Sequence, residues 1–211
     1  MPPNTDPHHY SMAPKHKDPA LIAQDMEELL KLALDRGARE ARLTSGGAVV
    51  FDESLARVDK ALEDPDNLTE HWPVRMPLDS LWDSLRSFRY GVFFCCLAPL
   101  GMPDQGQGWI EDVYYRQACL QAASIITALE SDAFNRGYHM ASGFGAGNCR
   151  SVLCHKESRC QALVRAKGCI HPYKARPTLA AVGIDAKAMA RNLDVPLVPD
   201  RVNLYGLVMV G

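Results

Sequence analysis

The sequence predicts an α/β or α+β fold, with a small mixed β-sheet flanked by helices and a cysteine-rich loop in its C-terminal part. Three observations point to this class. Segments with apolar residues at helical spacing alternate with short β-branched and aromatic runs, glycine and proline punctuate the junctions, and no segment repeats. With 211 residues, 47% of them hydrophobic and 23% charged, the chain has ordinary globular composition and enough length for one core.

Residues 1–19 carry Pro2, Pro3, Pro7, Pro14 and Pro19 without periodicity, and read as an extended tail ahead of a single domain over 20–211. "DPALIAQDMEELLKLALDRGA" predicts a helix, with Asp18 as its cap, Pro19 in the first turn, Ile22, Met26, Leu29 and Ala33 on one side, and Gly37 at the stop. "EARLTSGGAVVFD" reads as a hairpin of two short strands around Ser45, Gly46 and Gly47. A short helix near 53–62 follows, then loop, because Pro65, Pro73 and Pro77 break the pattern. "PLDSLWDSLRSFRYGVFFCCLAPL" predicts a helix capped near Asp79 or Ser80, then a central strand after Tyr90. The longest helix should run from about Trp109 to Asn135, ended by Gly137. "YHMASGFGAG" is then a strand entering glycines. Beyond the cysteines come short helices near 177–182 and 185–192 and the terminal strand "RVNLYGLVMVG".

The formal charge of −2 gives no overall attraction to nucleic acid or anionic membrane. The first 19 residues lack the apolar run of a secretory signal, and the longest apolar stretches are about half a membrane span. A cytoplasmic protein without a membrane span is expected. Seven cysteines in a reducing compartment suit metal binding or free thiols better than a disulfide framework. Cys95, Cys96 and Cys119 lie in strongly apolar surroundings and read as buried packing thiols.

The other four, Cys149, Cys154, Cys160 and Cys169, fall within 21 residues and can fold around one centre. Soft thiolates favour zinc, copper(I) and iron–sulfur clusters. The paired C-x2-4-C knuckles typical of zinc and the ferredoxin run C-x2-C-x2-C-x3-C-P are both missing, so spacing alone leaves the metal unnamed. From Cys149 to Arg176 seven basic residues, including Arg150, Lys156 and Lys174, face one acid, Glu157, so the segment carries +6 and the rest of the chain −8. Cations around a dianionic [4Fe–4S] core favour its reduced form. "GFGAGNC" misses the G-x-G-x-x-G spacing of dinucleotide sites, and Gly145 and Gly147 read instead as positions where backbone approaches a metal group. His155 and His171 flank ligands and can serve as substitutes or as neighbours of the shell. No Ser-His-Asp or Cys-His catalytic arrangement is visible, and His139 reads as a core residue.

The run "GAGNC…C…C…C-I-H-P-Y-K-A-R-P-T…V-G-I-D" resembles a bacterial and archaeal family of predicted metal-binding proteins whose C-terminal half carries four cysteines followed by HPxKARP and GID. The similarity is good over about 138–185 and weaker over 72–135. It implies an iron–sulfur site at Cys149, Cys154, Cys160 and Cys169. Family members often have further cysteines in the N-terminal half, near the position of "HWPVRMP", whereas no cysteine here precedes Cys95, so a second site is not implied.

The expected protein therefore binds one [4Fe–4S] cluster through segment 143–185, with Gly145, Gly147, Arg150, Lys156, His171 and Lys174 around it. It would act as an electron-transfer or accessory subunit of an anaerobic redox enzyme system, with a protein redox partner. The alternatives are a zinc-stabilised interaction module, or a redox enzyme with substrate at an open cluster iron. An accessory role is favoured over independent catalysis because no substrate chemistry is visible.

Overall fold

The structure is a computed structural model and describes residues 17–61, 76–100, 113–157, 159–165 and 168–211. Helix α1 (Pro19–Asp35) starts where expected: the Asp18 carboxylate accepts the Ala20 amide at 2.8 Å, and Pro19, which needs no donor, opens the helix. Its buried stripe of Ile22, Met26, Leu29 and Ala33 lies against the sheet and against α4 (Val113–Asn135). Tail residues 1–16 and the start of the longest helix, 109–112, lie outside the described residues.

Four strands, β1 (Glu40–Thr44), β2 (Tyr90–Pro99), β3 (Ala141–Phe144) and β4 (Arg201–Val210), form one sheet in the order β1-β2-β4-β3. Every pairing within it is antiparallel, so the expected mixed sheet is not formed and the fold falls on the α+β side of the two classes. Beside it, Gly145 makes an isolated parallel bridge with Thr178. Strand β2 and residues 204–210 of β4 are apolar because both sheet faces are covered there. Val92, Phe94, Cys96 and Ala98 point to a core shared with α1 and α4. Phe93 and Cys95 point the other way, into a core with Leu85, Phe144, Ile184 and Met189.

That second core is closed by α3 (Leu78–Arg86), a 3-10 turn at Ala180–Val182 and α7 (Ala186–Asn192), which Asp185 caps by accepting the Ala188 amide at 2.9 Å. Helix α2 (Glu53–Ala61) is found as expected. The α3 cap falls at Pro77, ahead of the expected Asp79 or Ser80, and the cap is a backbone one: the Pro77 carbonyl accepts the Leu81 amide.

The expected hairpin at "TSGGAV" is replaced. Thr44 ends β1, Gly46–Ala48 makes a 3-10 turn, and β1 pairs with β2. Gly46 serves close approach: a Cβ there would sit 2.1 Å from the Leu85 carbonyl oxygen, and its amide donates to the Phe88 carbonyl at 2.9 Å. Phe51, expected in the second strand, makes only a bridge to Ile184.

Candidate metal centre

The cysteine segment leaves edge strand β3 and turns through two very short helices, α5 (Cys149–Leu153) and α6 (Gln161–Arg165). Each of the first three thiols sits at a helix end. Asn148 caps α5 by accepting the Arg150 amide at 2.9 Å, which places Cys149 at the first helical position. Cys154 closes the same helix, its amide donating to the Arg150 carbonyl at 2.8 Å. The Cys160 carbonyl accepts the Leu163 and Val164 amides and so starts α6. Cys169 lies beyond it, and its sulfur accepts the His171 amide at 3.3 Å.

All four cysteines line one small hollow, partly open to solvent, together with Arg150, Leu153, His171 and Ala175. All four are half-buried and none is in a disulfide. The thiol of Cys154 is held above its ordinary value, first by burial and then by the neighbouring Cys169 and Cys160 sulfurs and Glu157, with Arg150 pulling the other way. Among the described residues, no three His, Cys, Asp or Glu side chains gather as the shell of a single ion.

The remaining expected residues are placed differently. Gly145, Gly147 and Lys174 line an adjoining hollow, which shares Cys149 and Leu153 with the first. Gly147 has φ +77, and a Cβ on it would come within 2.8 Å of the Cys119 sulfur, so this glycine brings the loop down onto α4. Lys156 is exposed and lines neither hollow. His155 is also exposed, and its pKa is lowered by its surroundings and by the Arg116 and Lys156 cations. Cys95, Cys96 and Cys119 are buried free thiols, as the sequence indicates.

Helix α4 holds the segment in place through polar residues that share one half-buried stripe with Leu120 and Ala123. Arg116 donates from Nε to the Val152 carbonyl at 2.9 Å, at the end of α5. Thr127 donates its hydroxyl to the Tyr173 carbonyl at 3.0 Å. Glu130 accepts both ends of the Arg176 guanidinium, at 2.9 Å from Nε and 2.5 Å from Nη2, and also the Gly143 amide at 2.9 Å. Sequence reading followed only the apolar side of this helix. The signal for the other side was the spacing of Arg116, Thr127 and Glu130, three and four residues apart through positions 120 and 123.

Fold and hollow together define an α+β protein whose long helix supports a four-thiol, cation-rich segment. The family described as "Predicted metal-binding protein (DUF2284)" matches residues 67–210, and the chain belongs to it. No curated protein and no solved structure matches the chain. No helix among the described residues is long and apolar enough to cross a membrane.

Proposed function

We propose that the protein binds one [4Fe–4S] cluster through Cys149, Cys154, Cys160 and Cys169 and serves as an electron-transfer or accessory subunit of a larger redox system. One observation carries this reading: four thiols line one hollow, with the Arg150 cation and His171 beside them. A polynuclear core lets each thiolate bind a different metal. The donor set fits such a core in three further respects. Thiolates are the donors iron–sulfur groups take, Arg150 borders the hollow as a cation, and the His171 amide already donates to the Cys169 sulfur.

A bound cluster would supply one-electron chemistry. The residues of the chain set its terms: Arg150 offsets negative charge, the His171 N–H withdraws electron density from a ligand sulfur, and Leu153 and Ala175 limit water on one side. The test is a redox titration of anaerobically purified protein followed by visible and electron paramagnetic resonance spectra. A reversible one-electron signal, unchanged by small-molecule ligands, is expected. A spectrum that shifts when ligands are added would support an open iron and a catalytic role instead, and a colourless zinc protein would contradict the reading altogether.

A further inference from the structure

The run H-P-x-K-A-R-P holds two cations with different surroundings. Arg176 is matched by charge, because Glu130 takes its guanidinium at both ends. Lys174 has no carboxylate partner among the described residues. It lines the hollow beside the thiol site, together with Arg176, Cys149, Leu153 and the loop 145–147. The proposed cluster gives this hollow no task, since Cys154, Cys160 and Cys169 line the other one.

The lining is fixed before any ligand arrives. On one side of Lys174 the Tyr173 carbonyl is held by Thr127, and on the other Arg176 is held by Glu130, both from α4. The glycine loop is tied to the chain that follows: the Gly145 amide donates to the Pro177 carbonyl at 3.0 Å, and the Gly145 carbonyl accepts the Leu179 amide at 3.1 Å. A site held in this way loses little freedom when it takes a ligand. The next two amides, of Ala146 and Gly147, have no acceptor among the described residues, and successive amides left over in a turn are anion donors. Ala123 and Ile126 of α4, with Leu153, add hydrocarbon to the same lining.

One unmatched cation calls for one negative charge. The hydrocarbon selects the kind of anion: a phosphate presents oxygen on every side and would set some of it against side chains that donate nothing, whereas a short carboxylate has an apolar end. We infer that this hollow binds a short aliphatic carboxylate, of the size of acetate or propionate, through Lys174 and the Ala146 and Gly147 amides, with Ala123 and Ile126 receiving its carbon chain. The site needs no metal and stands apart from the redox reading.

Equilibrium dialysis of radiolabelled acetate against the full chain at fixed ionic strength tests it. One saturable site is expected, from which propionate displaces the label more effectively than inorganic phosphate. Lys174→Gln should weaken binding at least about fivefold. Lys31→Gln, at an exposed position on α1, should leave it unchanged. Both changes replace exposed side chains, so circular dichroism should match the parent's. Saturating acetate should also slow modification of Lys174 by an amine-reactive ester, read by peptide mass mapping, and leave that of Lys31 as it was. No saturable site, parental binding by the Lys174→Gln protein, an equal loss from Lys31→Gln, an unprotected Lys174, or phosphate competing as well as propionate would each overturn the inference.

Discussion

At the scale of single residues, the seven cysteines divide by environment. Burial pushes the thiols of Cys95 and Cys119 up to about 11 and that of Cys96 to about 12, so almost none of the reactive thiolate is present at neutral pH. In metal-free folded protein, iodoacetamide followed by peptide mass mapping should label Cys149, Cys154, Cys160 and Cys169 and spare the other three until denaturant is added. Rapid labelling of Cys119 in the native state would show that the loop over it, held by Gly147, opens. On the proposed cluster reading, each Cys→Ser change among the four should remove most of the iron, whereas Cys119→Ser should retain it. If one of the four can be replaced with iron content and spectrum intact, the four-ligand model fails. This division was legible in the sequence because apolar flanks mark buried thiols and a glycine-rich, basic stretch marks accessible ones. The adjoining position of Gly145, Gly147 and Lys174 was not legible, since the parallel bridge to Thr178 and the descent onto α4 are tertiary facts.

At the scale of elements, the long helix is the frame of the site. Glu130 and Arg176 have side chains only 13% and 24% exposed, so removing one partner leaves the other desolvated. Glu130→Gln should lower stability by about 2 kcal/mol, measured by denaturant titration, and should speed amide hydrogen exchange in the cysteine segment more than in the sheet. Equal acceleration everywhere would mean that the pair supports the whole fold and has no special hold on the segment. In the sheet, Phe94 pairs with Gly206, and a Cβ at that glycine would stand 2.3 Å from the ring. Gly206→Val should therefore cost about 1–3 kcal/mol through overpacking. An unchanged denaturation midpoint would refute the tight pairing of β2 and β4. Long, strongly periodic elements such as α1, α4, β2 and β4 were readable because one chemical pattern runs through each. The "TSGG" turn misled because glycine signals both turns and close contacts, and only the position of Leu85 decides between them.

At the scale of the whole molecule, Asp25 ties the chain's first described residues to the far end of α4. Lys17 pairs with it, Arg136 reaches it at 3.0 Å, and the buried Tyr138 hydroxyl donates to it at 2.8 Å. Burial alone would raise this carboxyl and is the largest single influence, but the hydrogen bonds from Lys17, Tyr138 and Arg136 together hold it below the ordinary aspartate value of about 3.9. A carboxyl depressed in the folded state stabilises the fold above its unfolded pKa, and that contribution is lost as pH falls through the folded value. Thermal stability should therefore fall from about pH 4 downward. Asp25→Asn should be less stable than the parent at neutral pH and should lose less on acidification. Parallel pH profiles for the two proteins would remove Asp25 from the acid response.

The central claim is that four half-buried thiols on this α+β frame share one polynuclear iron site. X-ray absorption at the iron and zinc edges of anaerobically purified protein tests it most directly. The account predicts an iron edge with sulfur neighbours and a second shell of iron–iron scattering, lost together when Cys160 is changed to serine. A zinc edge with a single sulfur shell and no metal–metal scattering would contradict it.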